Sequence, residues 1–194
     1  MTQSSYLIVP ERPADSDIIE HLNETAFGPG RFTLTAYRVR EQAHVIPELC
    51  FAAWQGETCI GSIRHALISV NGERGLLLGP LVVHPDHKNR GCGIALIEHA
   101  LKKAVELGYR WVILVSDEPY YRRVGFQAVP FGAIMFPGPV DPARILLRPL
   151  QSDQAVSING LVVPIACPNK SAAFAEPCGG EGAKQKQKSN QTGK

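Results

Sequence analysis

The sequence lacks the cysteine patterns of a disulfide framework or of a zinc site. Its five cysteines are odd in number and irregularly spaced, and no two of them form a CxxC pair. This spacing argues against a small secreted scaffold held together by disulfides and predicts free thiols in a reducing compartment. We therefore expect no metal in this protein.

Long apolar runs and a leader segment are also missing. No apolar run approaches the roughly 18 residues that a helix needs to span a bilayer. Residues 1–6 lack the basic start and the apolar stretch of a signal peptide. We therefore expect a cytoplasmic protein without a membrane partner.

An excess of one charge is absent from most of the chain. The formal net charge is +2, and the tail from residue 167 onward has five lysines against two glutamates. The tail therefore carries +3 and the rest of the chain −1. Since nucleic-acid-binding domains usually carry a basic surface, nucleic acid is not an expected partner.

What the chain does have is enough length and apolar content for one folded domain. It has 194 residues, of which 44% are hydrophobic, so that a substantial core can be buried. From residue 167 the composition changes to Gly, Lys, Gln, Ser and Asn, with too few apolar residues to offset the entropy of ordering. We expect a domain over residues 1–166 and a disordered basic tail over 167–194.

The order of apolar segments predicts an α/β (α+β) fold with a mostly antiparallel central sheet flanked by helices. Helical spacing over 14–27 and 32–40 predicts two early helices that could wall a substrate site. Three β-rich runs separated by turn residues then predict an antiparallel meander. A helix over 93–107 leads into the strand Trp111–Val115, which should lie parallel to the strand that ends at Val83. The predicted strands cover 6–9, 49–55, 58–70, 75–83, 111–115, 131–136, 145–150 and 157–163.

A turn with two glycines and two cations precedes the helix predicted over 93–107. Without Cβ atoms, Gly91 and Gly93 would let a diphosphate approach the backbone, and a helix start presents free N–H groups. Lys88 and Arg90 would add positive charge. On this spacing alone, the two glycines could equally do no more than shape the entry into the helix. The residues of this turn and helix start are Lys88, Asn89, Arg90, Gly91, Cys92, Gly93, Ile94 and Ala95.

Two better-known phosphate-binding motifs are not found in the sequence. There is no GxxxxGK[ST] loop, and no GxGxxG follows the first strand with an acidic residue about 20 positions later. The turn therefore favours a CoA-like diphosphate over a nucleoside triphosphate or a dinucleotide.

The segment 83–95 resembles the acyl-CoA signature Q/R-x-x-G-x-G/A of the GNAT superfamily of N-acetyltransferases. Lys88, Gly91 and Gly93 stand at its three defined positions, with lysine in place of the usual Gln or Arg. Downstream, 112–126 resembles the strand and short helix of GNAT enzymes that end in YxxxGF. The resemblance covers roughly residues 6–150 and is greatest to the YhbS-type branch of the family.

The resemblance implies a sheet that splays between the strands near 76–83 and 111–115, with the pantetheine arm of CoA in the gap. That arm would pair with the backbone of Leu81, Val82 and Val83. The pair Gly79-Pro80 independently predicts a bulge in this strand. Acetyl-CoA would be the co-substrate, a primary amine would attack it directly in a ternary complex, and the protein could be a homodimer.

Tyr121 is the catalytic residue that the resemblance implies, since GNAT enzymes often use a tyrosine four positions before the glycine of YxxxGF as an acid. A phenol with a pKa of about 10 stays protonated at neutral pH and can donate to the departing CoA sulfur. The alternative is a tyrosine that only packs in the core. Cys92 could be a reactive thiol or a small spacer.

The sequence does not identify a general base, because no acidic residue lies within 76–83. A chain of waters could relay the proton, and five side chains stay open as candidates. These are His65, Glu73, His84, Asp117 and Glu118.

Two alternative functions stay open. A longer acyl chain could be transferred from acyl-CoA or acyl carrier protein, since four apolar side chains could line a tunnel for it. The protein could also be a non-catalytic sensor of acyl-CoA. The tunnel residues would be Phe131, Ile134, Met135 and Phe136.

Overall fold

The computed structural model describes residues 6–151 and 158–167. Within these residues the chain forms a mixed sheet with four α-helices around it. The helices are α1 (Ser16–Phe27), α2 (Thr35–Gln42), α3 (Cys92–Glu106) and α4 (Glu118–Tyr121). The strands are β1 (Leu7–Pro10), β2 (Phe51–Gln55), β3 (Thr58–Val70), β4 (Glu73–Val83), β5 (Trp111–Val115), β6 (Gln127–Ala128), β7 (Ile134–Met135), β8 (Ile145–Pro149) and β9 (Gly160–Pro164).

The main path of the sheet runs in the order β1-β2-β3-β4-β5-β8-β6. Neighbours on this path are antiparallel except for β4 and β5, which are parallel. The strand β9 pairs antiparallel with β3 and parallel with β7. The predicted fold class, with its antiparallel meander and one parallel crossover through α3, is confirmed.

Helix α3 covers one face of the sheet because two rows of its apolar residues point inward. One row is buried at Ile97, Leu101 and Ala104, whereas Ile94 is only half-buried. Leu96 and Ala100 add a second buried row. These residues pack against side chains of β2, β3, β4 and β5 in the largest apolar cluster.

The other face of the sheet is covered by α1 and α2. Ile19 and Leu22 of α1 pack on Val82 of β4, while Ala36 and Val39 of α2 pack in a cluster with residues of β3, β4 and β5. The strand β5 is buried from both sides, as its uninterrupted apolar run indicates. Helix α1 therefore lies over β3 and β4, and α2 packs with residues of β3, β4 and β5.

The structure differs from the sequence-based prediction at short elements. Helix α2 begins at Thr35 rather than at residue 32, since Pro29–Thr33 form a 3-10 turn. The side chain of Phe32 is 43% exposed and stacks with the Arg31 guanidinium, 4.2 Å from the ring centroid. The strand predicted over 131–136 shrinks to β7, and β6 was not predicted.

The end of the chain is described only in part. The strand predicted over 157–163 is found at β9, but residues 152–157 lie outside the described ranges. The tail predicted over 167–194 also lies outside them, apart from Cys167. No helix of the described residues combines the length and the apolar character needed to cross a bilayer.

Candidate active site

The parallel strands β4 and β5 separate after a short stretch of pairing. Only Leu76 pairs with Val112 and Leu77 with Ile113. Beyond these pairs β4 continues to Val83 without a partner on its β5 side. The predicted splay of the sheet is therefore confirmed, and it leaves the backbone edge of β4 open.

A bulge in β4 lies where the two strands part. The register with β3 pairs Leu81 with Ile63 and Leu78 with His65, so that Gly79 and Pro80 together face one residue of β3. The bulge predicted from Gly79-Pro80 is confirmed. It turns the backbone of β4 at the point where its edge becomes free.

A cleft of about 300 Å³ opens at this divergence. Its floor is the bulged part of β4, and one side is formed by the end of β5 with Ser116 and Tyr121. The opposite side is formed by α1, α2 and the 3-10 turn between them. The predicted pair of early helices therefore does form a wall of the cleft.

Arg31 fixes the connection between α1 and α2. Its side chain is 6% exposed, donates to the carbonyl of Gly28 over 2.8 Å, and pairs with Glu20 at 2.5 Å. Gly28-Pro29-Gly30 interrupts the helix, so the two interactions of Arg31 connect the 3-10 turn Pro29–Thr33 to the end of α1.

Tyr121 lies at the end of α4 and lines the cleft. Its ring makes edge-to-face contacts with Tyr120 and Phe126, at centroid distances of 5.0 and 5.9 Å. Burial raises the pKa of Tyr121 to about 12, against a smaller lowering effect of a hydrogen bond with Ser116. The side chain thus packs against other rings and also presents a protonated phenol to the cleft.

The glycine turn presents an open backbone at the start of α3. Residues 88–91 are exposed, Gly91 has φ +85°, and no atom lies within 4 Å of the position that its Cβ would take. The first helical hydrogen bond runs from the Ala95 N–H to the Gly91 carbonyl at 3.0 Å. In the described part of the chain, the N–H groups of Cys92, Gly93 and Ile94 have no acceptor. Such free N–H groups at a helix N-terminus can donate to an anion, whereas the Ala95 N–H is already used.

Gly93 and Cys92 both take part in packing at this turn. A Cβ at Gly93 would come closer than 3.0 Å to the hydroxyl oxygen of Tyr120, which is too close for two non-bonded atoms. The missing side chain therefore leaves room for Tyr120. Cys92 is 2% exposed, and burial raises its pKa to about 11. The Cys92 thiol is therefore a protonated core group rather than a reactive one.

Leu81, Val82 and Val83 lie on the open stretch of β4. The side chain of Val82 is 2% exposed and packs towards α1, while those of Leu81 and Val83 pack towards α3. With these side chains in the core, it is the backbone on the β5 side that is left for a ligand. This placement suits a strand-like arm better than a side-chain contact.

Of the five candidate bases, His65 alone lines the cleft. The ring is fully buried, its Nδ1 lies 2.9 Å from the Leu49 carbonyl oxygen, and burial lowers its pKa to about 4. Its Nε2 has no hydrogen-bond partner among residues 6–151 and 158–167. His65 is therefore a neutral ring and a weak base.

The other candidate bases have partners or lie elsewhere. Asp117 is paired with Arg144 at 3.1 Å, and Glu118 with Arg122 at 3.3 Å. His84 accepts a hydrogen bond from the Asp86 N–H, in the turn after β4. Glu73 stands at the opposite end of β4, next to the β3–β4 turn.

Sequence reasoning did not single out Arg40, which the structure places in the cleft. The Nη1 atom of Arg40 lies 2.7 Å from the position that a Cβ of Gly79 would take, and its Nε is buried without a hydrogen-bond partner in the part of the chain that the structure describes. Burial lowers the pKa of Arg40 to about 10. The helical pattern of 32–40 predicted the wall but carried no signal for which of its cations faces inward.

The proposed apolar tunnel is not formed. Phe131 and Met135 are 89% and 51% exposed, while Ile134 and Phe136 are buried in the core cluster beneath α2. None of the four lines the cleft. The prediction that these residues form a tunnel for a long acyl chain was therefore wrong.

The sheet, its splay and the cleft define a class of protein. Residues 16–126, more than half of the chain, match the sequence profile of the acetyltransferase (GNAT) family. The chain belongs to this family and is an N-acetyltransferase by class.

Individual relatives agree with this assignment. The chain is 26% identical over 158 residues to YhbS of Escherichia coli strain K12, an uncharacterized N-acetyltransferase, covering 80% of this chain and 94% of YhbS. The crystal structure of E. coli YhbS in complex with CoA matches with a TM-score of 0.70 at 23% identity, covering 82% of this chain and 89% of YhbS. A GNAT family acetyltransferase from Brucella melitensis, in complex with acetyl-CoA, matches with a TM-score of 0.62 at 23% identity over 89% of this chain and 99% of that protein. The structural likenesses establish the fold.

Proposed function

We propose that the protein transfers an acetyl group from acetyl-CoA to a primary amine by direct attack in a ternary complex. The observation that carries this proposal is the cleft between β4 and β5, which joins an open strand edge to the phenol of Tyr121. Two proteins of the same fold that were crystallised with CoA or acetyl-CoA support the choice of donor.

The donor would be held mainly by backbone groups. The free N–H groups of Cys92, Gly93 and Ile94 would bind the diphosphate, and Gly91 would keep the approach open. The exposed cations Lys88 and Arg90, next to Asn89, would add attraction at long range. The pantetheine arm would pair with the open edge of β4 at Leu81, Val82 and Val83, which leads the thioester to the bulge at Gly79.

The reaction then needs one bond formed and one broken. The lone pair of the amine attacks the thioester carbonyl carbon, the C–S bond breaks, and the CoA sulfur takes a proton from the Tyr121 hydroxyl. The amine nitrogen gives up its own proton to water in the cleft, and the phenolate left on Tyr121 regains a proton from solvent. Since a thiolate is a good leaving group, we assign Tyr121 a modest contribution, of about 10- to 100-fold in rate.

Removal of the amine proton is assigned to water rather than to a side chain. His65 lies at the cleft with a fully buried ring and is too weak a base, because its pKa is about 4. The four other candidates are paired or lie away from the cleft. An amine that enters as the free base, with solvent as the proton acceptor, satisfies the chemistry without a dedicated base.

Two measurements test the proposal and separate it from its alternatives. Isothermal titration with CoA, acetyl-CoA and acyl carrier protein identifies the donor, and release of free CoA thiol with a panel of amines measures transfer. We expect acetyl-CoA binding and thiol release with at least one amine. Binding of acetyl-CoA without thiol release with any amine would instead indicate a sensor, and activity only with longer acyl donors would indicate the other alternative.

A further inference from the structure

Three arginines reach the cleft, and they differ in how their charge is balanced. Arg31 is paired with Glu20 at 2.5 Å, and Arg64 is paired with Glu11. Around Arg40, by contrast, no described carboxylate lies within the 4.0 Å of an ion pair. Two tyrosines lie near it. The Arg40 Cζ is 5.9 Å from the ring centroid of Tyr37, and the phenol of Tyr121 is close enough to interact electrostatically.

An unpaired guanidinium in such a place is costly. Removing a cation from water is unfavourable unless an anion or hydrogen-bond acceptors replace the water. A guanidinium also presents two parallel N–H groups that match the two oxygens of a carboxylate. Arg40 is therefore suited to an anion that arrives with a ligand.

The diphosphate of CoA lies too far away to be that anion. Val83 contacts the start of α3, where its Cγ2 lies 3.4 Å from the Cβ position of Gly93. Gly79, beside Arg40, is four residues back along β4, or roughly 13 Å at the rise of an extended strand. The pantetheine arm and the acetyl group carry no charge. The anion must therefore belong to the acceptor.

The mouth of the same cleft combines the carboxylates of Glu20 and Glu41 with apolar side chains. Phe27, Leu34 and Val45 line it and are 48%, 58% and 42% exposed. Side chains of this kind bind an apolar group rather than a charged one. An acceptor that fills the cleft would thus combine an anionic group beside its amine with an apolar body.

Building on the proposed function, we propose that the acceptor is a free amino acid with an apolar side chain, whose carboxylate is bound by Arg40. The α-amine, one carbon away from the carboxylate, is then held between the bulge at Gly79 and the hydroxyl of Tyr121. The apolar side chain extends towards Phe27 and Leu34. Arg40 is thereby the residue that determines acceptor specificity.

Matched pairs of acceptors test this assignment. Leucine, methionine and phenylalanine are each compared with the amine that lacks only the carboxylate, and kcat/KM is measured by thiol release at saturating acetyl-CoA. The variants are Arg40→Met, which keeps an unbranched apolar stem but removes the charge, Arg40→Lys, and the control Arg38→Met on the exposed side of α2. Thermal unfolding of each variant verifies that it is folded.

We expect the wild-type protein to prefer at least one amino acid over its decarboxylated partner. Arg40→Met should lose about 100-fold in kcat/KM for the amino acid, mainly through KM, and little for the decarboxylated amine. Arg40→Lys should retain part of the preference, and Arg38→Met all of it. Equal losses for both members of a pair would overturn the proposal, because Arg40 would then act on the thioester.

A binding experiment separates this proposal from the proposed function. Isothermal titration of the CoA complex with N-acetyl-leucine, N-acetyl-methionine and N-acetyl-phenylalanine needs no turnover. If the wild-type complex binds one of these ligands and Arg40→Met abolishes the binding, the carboxylate site is supported. This holds even if no amine releases thiol, and in that case only the proposed function fails. Thiol release only with amines that lack a carboxylate would overturn the acceptor assignment and leave the proposed function standing.

Discussion

Replacing Gly91 by glutamate should weaken CoA binding through charge rather than through loss of the fold. Gly91 is exposed with φ +85°, and no atom lies within 4 Å of its Cβ position. Any side chain there has the same left-handed backbone strain, about 1–2 kcal/mol, without a clash. Glutamine and glutamate at this position should therefore destabilise the protein equally.

The difference between glutamine and glutamate isolates the electrostatic effect. A carboxylate about 5 Å from a diphosphate bound at Cys92–Ile94 repels each phosphate charge by about 1–3 kcal/mol, for effective dielectric constants between 80 and 20. We expect Gly91→Glu to bind CoA about 10- to 100-fold more weakly than Gly91→Gln. In about 1 M salt, where the screening length falls to about 3 Å, this gap should shrink.

Gly108 provides a matched control at the other end of α3. It has φ +81° and equally open surroundings, so Gly108→Glu adds the same charge and the same strain. The 15 residues of α3 place Gly108 roughly 22 Å from the turn at 1.5 Å per residue. Isothermal titration with CoA should find Gly108→Glu close to wild type. Equal affinities of Gly91→Glu and Gly91→Gln would refute the placement of the diphosphate at this turn.

Three further outcomes follow from individual contacts. Tyr121→Phe should lower kcat about 10- to 100-fold while the Kd of acetyl-CoA stays the same, as measured by thiol release and titration; an unchanged kcat would remove Tyr121 from the mechanism. Gly75→Ala should lower the free energy of unfolding in urea by about 2–3 kcal/mol, because the new Cβ would come closer than 3.0 Å to the buried ring of Trp111. The folded-state pKa of His65 is about 4, below the unfolded value of about 6.5, so the unfolded chain takes up the proton first and stability falls as the pH drops from 6.5 to 4. The loss should reach about 3 kcal/mol, and His65→Gln should remove this part of the pH dependence.

Strong local signals account for the parts of the fold that could be predicted from the sequence. The strands Thr58–Val70 and Trp111–Val115 were predicted with their observed bounds, since long apolar or β-branched runs end at turn residues. The two-residue strand β6 shows no such pattern, and of the run 131–136 only the two residues of β7 form a strand; β6 pairs with β8 and β7 with β9. Their formation depends on contacts distant in the chain, which a local pattern does not contain.

In the candidate site, too, local features could be predicted from the sequence and features that depend on tertiary contacts could not. The turn at Gly91 is local, so glycine spacing and the following helix were enough to predict an open backbone there. The roles of Arg31 and Arg40 could not be distinguished, because only tertiary packing decides that Glu20 pairs with one and leaves the other without a carboxylate. The low pKa of His65 likewise arises from burial by several strands and helices.

The acyl-CoA signature over 83–95 and the YxxxGF segment over 112–126 are separated by about one helix and one strand in the sequence, and they meet at Gly93. The hydroxyl of Tyr120 occupies the space that a side chain at Gly93 would need, and the next residue, Tyr121, lines the cleft. Gly93→Ala should therefore displace Tyr120 and with it the phenol of Tyr121, which lowers kcat as well as CoA affinity. The nearest ring carbon of Tyr120 would lie 3.5 Å from the new Cβ, an ordinary contact. Tyr120→Phe removes only the hydroxyl, so the double variant should recover most of the kcat lost in Gly93→Ala. A double variant as slow as Gly93→Ala alone would show that Gly93 serves the diphosphate directly and not through Tyr120.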